Sequence, residues 1–123
     1  MPTYTRVYAD SDGESHFEDV QVEITYVDFA PPAPPMGLSP FWPATQWAFF
    51  TLPPGYYGDW HPAPRRQIFF YLSGHVEAEV SDGTIRRFGP GDATLVEDTT
   101  GKGHCTRVIG NEPLLLAVVQ MPE

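Results

Sequence analysis

Two of the four histidines in this 123-residue chain stand in company that suits chemistry. His61 follows Gly58-Asp-Trp and precedes Pro-Ala63-Pro-Arg-Arg-Gln67; His104 ends the run Glu97-Asp98-Thr-Thr-Gly101-Lys-Gly103. An imidazole changes charge near neutral pH, so it can take or give a proton or, when neutral, hold a metal. A carboxylate such as Asp98 or Glu97 would orient a histidine acting as general base. Tyr71 shares strand parity with Gln67 and Phe69, so its hydroxyl either enters a cavity or is satisfied within a core. Thr106 shares parity with His104 and is expected to line the same space. Lys102, between two glycines, either closes over an anionic substrate or is a solvated loop residue. His75 alternates with Glu77 and Glu79 and is expected on a polar face, and His16 carries no site signal. Cys105, the one cysteine, excludes an internal disulfide and a thiolate zinc site. It is expected to be a buried strand residue, with a reactive thiol beside His104 as the other reading.

The elements that must position these residues are short strands. Fourteen prolines and eleven glycines recur at short intervals, and no window keeps a helical period of apolar residues. Val20, Val22, Ile24 and Tyr26 alternate with polar neighbours and predict a half-buried strand. Residues 30–35 hold four prolines in six positions and predict an extended surface connector. Further strands are expected over 45–52, from His61 onward, over 67–73, 76–80, 84–88, 93–97, 104–109 and 114–120. Gly74, Asp82-Gly83, Gly89-Pro-Gly-Asp92 and Asn111-Glu-Pro113 supply the turns between them. Eight or nine strands joined this way suit an all-β, closed or double-sheet architecture of the jelly-roll type.

Length allows one domain, 1–123, with a single modest core. A net charge of -9 disfavours nucleic acid and anionic lipid, whose binding needs clustered Lys and Arg. No apolar run approaches the ~20 residues of a membrane span, and the first residues lack a signal-peptide pattern, so a cytoplasmic protein is expected.

The stretch from Gly55 to Val108 resembles the cupin type-2 conserved-barrel family. That family's first motif is a glycine, five spacers, His-x-His, three or four spacers, Glu, six spacers and Gly. Here Gly55, His61 and Gly74 fit, whereas Ala63 replaces the second His and Gln67 the Glu. In the second motif Gly91 opens, Glu97 takes the proline position, and a longer loop leads to His104; Val108 stands where Asn is usual. The runs around His61 and His104 are similar to a set of small stand-alone bacterial members. The resemblance implies a double-stranded β-helix, the jelly-roll barrel, with His61, Gln67 and His104 as ligands of a divalent metal (iron, nickel, zinc or manganese). Two imidazoles and a neutral amide hold such an ion less well than three imidazoles and a carboxylate, so a site without metal is the competing expectation. Asp59, Glu97 or Asp98 would have to restore the anion.

The expectation is therefore a small-molecule enzyme whose chemistry rests on His61 and His104, aided by Tyr71 and Asp98. It would isomerise, epimerise, cyclise or, with metal, oxygenate a small organic molecule. A non-catalytic barrel that binds such a molecule as sensor or carrier is the alternative. The aromatic load and open strands also predict a homodimer through sheet edges.

Overall fold

The computed structural model describes residues 2–123, which form twelve β-strands and no helix. They are β1 (Thr3–Ala9), β2 (Ser15–Gln21), β3 (Thr25–Val27), β4 (Met36–Leu38), β5 (Gln46–Leu52) and β6 (Tyr57–His61). β7 (Gln67–Ser73), β8 (His75–Val80), β9 (Ile85–Phe88), β10 (Ala93–Val96), β11 (His104–Ile109) and β12 (Leu114–Gln120) complete the set. A six-stranded sheet runs β2-β1-β10-β7-β12-β5 and a four-stranded sheet runs β6-β11-β8-β9. β3 and β4 pair only with each other. All neighbours are antiparallel except β1 and β10.

The period-two pattern of each strand decides which side chains meet between the sheets. On β7, Gln67 and Tyr71 are buried and Phe69 packs against the core, whereas Phe70 and Leu72 stand outside. Val76 and Val80 on β8 and Val108 on β11 face them from the four-stranded sheet. Tyr71, Val76, Phe88, Val108, Leu114 and Leu116 form one core cluster, and Val7, Ala63, Val80 and Val96 a second. The strands from Gln67 to Ser73, His104 to Ile109 and Leu114 to Gln120 match the sequence expectation residue for residue.

Three expectations need correction. The continuous strand through Val20, Val22, Ile24 and Tyr26 does not form. β2 stops at Gln21, which pairs with Thr3 at the start of β1; Val22 N adds one bond to Pro2 O, and Tyr26 belongs to the separate strand β3, paired with β4. Ile24 and Tyr26 are exposed. His61 closes β6 instead of opening a strand, because Pro62 and Pro64 lack the N–H that a ladder requires. The strands number twelve, the extra ones being the N-terminal β1 and the short β3–β4 arm.

His16, silent in the sequence, clamps two loops. Its Nε2 lies 2.6 Å from an Asp10 carboxylate oxygen and its Nδ1 2.9 Å from one of Asp82. Both nitrogens can donate to carboxylates only in the imidazolium, and the bond to Asp10, then that to Asp82, raises His16 above its ordinary 6.5. Asp10 is lowered, first by His16; Asp82 is lowered, first by its bond with Thr84 and also by His16. A raised histidine stabilises the fold fully below its unfolded value and loses that contribution as pH rises through the folded value. The lowered carboxylates act in the opposite sense, losing theirs only as pH falls toward or below 3.8. His16→Ala is therefore expected to lower the urea midpoint more at pH 5.5 than at pH 8.5, as measured by fluorescence at both pH values. An equal loss at both would show that charge plays no part in the clamp.

Candidate functional site

β6 and β11 lie side by side with His61 opposite His104, so sheet pairing alone brings the two imidazoles together. Their ring centroids are 4.9 Å apart with planes inclined at 56°. His61 Nδ1 lies 2.6 Å from the carbonyl of Asp59, which can only accept, so Nδ1 carries the proton. His104 Nδ1 lies 2.6 Å from Asp98 Oδ2. Both rings thus commit Nδ1 and leave Nε2 as the nitrogen available to a guest. Their environments differ: the His61 ring is exposed, while Asp98 behind His104 has 0 % exposure. The second carboxylate oxygen of Asp98 is buried without a partner.

The loop that carries Asp98 is fixed from several sides. Asp98 accepts a bond from Ala63 N at 2.9 Å, and Glu97 N donates to Val7 O at 2.7 Å. Lys102 N donates to Gly13 O and its ammonium pairs with Glu14, so Lys102 is a tether to the β1–β2 loop and does not close over the site. Buried Ser15 donates to Gly103 O at 2.6 Å. Gly103 has φ +73°, and a Cβ there would fall 2.0 Å from the carbonyl oxygen of His61. Only glycine lets the loop pass so close beneath His61.

A second polar group crosses the six-stranded sheet. Gln46, Gln120 and Gln67 are register partners on β5, β12 and β7. Gln46 Nε2 donates to Gln120 Oε1 at 2.5 Å, and Gln120 Nε2 donates to Gln67 Oε1 at 3.2 Å. Gln67, 8 % exposed, shares its side of β7 with Phe69 and Tyr71 and so faces the barrel interior. Phe50, stacked on Phe69 at 6.2 Å, adds an apolar wall. Gln46 and Gln120 carried no signal in the sequence, since only cross-strand register places them beside Gln67.

The other candidates separate from this group. Tyr71 is a core residue, stacked on Phe88, with its hydroxyl 3.2 Å from Thr94 Oγ1 and burial pushing it up to about 12. Asp59 caps Trp60 N with its side chain. Burial alone would raise Glu97, but charged hydrogen bonds from Arg66 and Arg6 outweigh it and hold the carboxyl below its ordinary value. Cys105 is buried and its thiol is pushed up by that burial, which suits an inert strand residue.

The donor set does not fit a tightly held metal. Asp98 is engaged by His104, Glu97 by two arginines, and the Gln67 oxygen by Gln120. Among the described residues no three His, Cys, Asp or Glu side chains gather as ligands. What remains is two imidazole nitrogens without a carboxylate gathered beside them as a third ligand.

Two facing sheets with a histidine pair at the edge of the space between them define a jelly-roll barrel. The family model described as Cupin domain matches residues 48–120, and the chain belongs to that family. Its structure is similar to a Cupin 2 conserved barrel domain protein from Salinispora arenicola, with 17% identity over 82% of this chain and 76% of that one (TM-score 0.51). It is also similar to the Cnp3 cupin domain of Schizosaccharomyces pombe, with 14% identity over 99% and 89% of the two chains (TM-score 0.52). At these identities the likeness concerns the fold. No curated protein sequence matches the chain.

Two expectations follow from this geometry. Gly103→Ala should cost roughly 2–4 kcal/mol, from a left-handed backbone and a main-chain overlap, and should shift the His61 ring resonances in an NMR spectrum. Wild-type stability would mean that the loop has room the structure does not show. Gln67→Glu should raise calorimetric affinity for iron(II), nickel, zinc or manganese at least about tenfold by adding the missing anion. That gain should vanish when His61 or His104 is also Ala.

Proposed function

We propose that the barrel is an acid–base site for a small oxygenated organic molecule, with His104 Nε2 as the proton-transferring atom. The His104–Asp98 pair carries this reading: a buried carboxylate 2.6 Å behind Nδ1 fixes the tautomer and offers its charge to the imidazolium formed when Nε2 takes a proton. His61, its Nδ1 engaged by a carbonyl, presents a second Nε2 beside it and can return the proton on another face or hold a hydroxyl. A base that receives a proton and gives it back needs no oxidant or reductant. Isomerisation or epimerisation beside a carbonyl fits that balance.

The charges narrow the substrate. All seven Lys and Arg side chains have partners: Arg6 and Arg66 on Glu97, Arg86 on Asp19, Arg87 and Arg107 on Glu77, Lys102 on Glu14, and Arg65 on the Met121 carbonyl. Among the described residues no Lys or Arg side chain stands unpaired for a phosphate or carboxylate. The Asp98 carboxylate is already bonded to His104, and the other polar side chains around the pair, the Gln67 amide and the two imidazoles, favour a neutral guest bearing hydroxyl or carbonyl groups.

Purified protein incubated in heavy water with a panel of neutral hydroxyketones and 1,3-dicarbonyl compounds should accelerate deuterium uptake next to the carbonyl of at least one, read by proton NMR. His104→Ala should lose about 10²–10⁴-fold of that rate, with Asp98→Asn nearly as damaging. Binding of a panel member without any exchange would favour the non-catalytic carrier reading.

A further inference from the structure

The turn from Asp10 to Glu14 is crowded with negative charge and rests directly on the loop that delivers His104. Asp10, Asp12 and Glu14 fall within five residues, and His16 joins the first of them to Asp82 of the β8–β9 turn. Asp10 holds the shape of the turn: its Oδ1 takes the amides of Asp12 and Glu14 at 2.8 and 3.1 Å, while its Oδ2 takes His16 Nε2. The turn then grips the loop at each residue from 101 to 103. A Cβ on Gly101 would fall 2.4 Å from Gly13 O, so the two main chains touch. Lys102 N donates to that same oxygen at 2.9 Å, and its ammonium pairs with Glu14. Gly103 O takes the hydroxyl of buried Ser15 at 2.6 Å. The next residue is His104, and Gly103 itself lies against the His61 carbonyl.

We propose that His16 is a proton-operated latch on the site: charged, it ties the 10–14 turn to Asp82 and so keeps the 101–103 loop seated, and on losing its proton it lets that loop leave its place beneath His61. The inference rests on the acid–base reading for its effect on the reaction, and on the main-chain contacts above for the latch itself. Only the imidazolium donates from both nitrogens, so a neutral ring must give up one carboxylate. The surrounding charges set the sign. Tyr8 of β1 lies 5.5 Å from the His16 ring, and the Arg6 guanidinium stacked on Tyr8 is committed to Glu97 and Glu18. With His16 neutral, the Lys102 ammonium is left to offset Asp10, Asp12, Glu14 and Asp82, and like charges drive the turn away from Asp82. Ser15 N donates to Ser81 Oγ and Ser81 N to Ser15 Oγ, uncharged bonds that keep β2 on β8 and confine the movement to turn and loop. The bonds to Asp10 and Asp82 raise His16 above 6.5, so the latch stays shut below that value and opens as pH climbs through the higher folded one. Asp10, Glu14 and Asp82, all lowered, stay charged throughout that range. A base at His104 needs its own ring neutral. The site therefore works in a window in which His104 has lost a proton and His16 has kept one.

Amide hydrogen exchange of the wild-type protein, followed by NMR from pH 5.5 to pH 8.5 and corrected for intrinsic exchange, tests the latch. Protection at Lys102 should fall at least about tenfold in step with the titration of the His16 ring. Amides of β7 and β12 should keep their protection. His16→Gln should leave Lys102 weakly protected at both ends of the range, and His16→Arg, which retains a cation, should keep it protected at both. The pH profile of deuterium uptake should lose its alkaline fall in His16→Arg. Protection at Lys102 that ignores the His16 titration, or a pH step that survives in His16→Gln, overturns the inference whatever the activity. The wild-type titration alone decides this if a variant fails to fold. A Lys102 step with no reaction on any panel member would overturn the acid–base reading and leave the latch standing.

Discussion

The chain passes between its two sheets at two places near the site, and one residue binds those passages together. Asp98 lies on the way from β10 in the six-stranded sheet to β11 in the four-stranded one. Its carbonyl takes Ala63 N, on the way from β6 back to β7. Its side chain takes the Nδ1 of His104. A carboxylate wholly removed from water is costly unless bonded, and here one oxygen is bonded and the other is not. The main-chain bond keeps the two crossings at a fixed separation, so the residue that orients the base also sets the distance between the histidine-bearing strands and the sheet that carries Gln67.

Around that point the sequence was readable where the chemistry is local. Apolar runs at 67–73 and 114–120 and the short segment 104–109 named the strands, and the turn residues named their ends. The family resemblance carried by Gly55, His61, Gly74, Gly91 and His104 led to the barrel. The meeting of His61 with His104, however, depends on β6–β11 register, which no local pattern encodes. The glutamine trio is further still from view, since Gln46 and Gln120 belong to strands separated in sequence by most of the chain. Apolar alternation also misled: Val20, Val22, Ile24 and Tyr26 have the right period, but β1 pairs only as far as Gln21 and Tyr26 pairs instead with the short β4. Periodicity tells which residues can form a strand, and the supply of partners decides whether they do.

The glutamines bring polarity to this part of the six-stranded sheet without adding charge. Each carboxamide has one accepting and one donating end, so three in a row acquire a direction. Turning Gln67 would break its bond to Gln120 unless Gln120 and Gln46 turned with it. The interior polarity is one coupled unit, and a single substitution within it disturbs more than one contact.

One feature of the sheet order bears on how the molecule is made. β1 is hydrogen-bonded in parallel to β10, with Thr5 beside Thr94, while β10 is itself held by β7. A ribosome delivers the first strand long before the tenth. The β1–β2 hairpin, a two-stranded unit of marginal stability alone, must therefore wait in the cell beside an incomplete barrel until Ala93–Val96 has emerged. The strand synthesised first is then among the last to find its place, and its seven-residue ladder to β2 is what keeps it in order meanwhile.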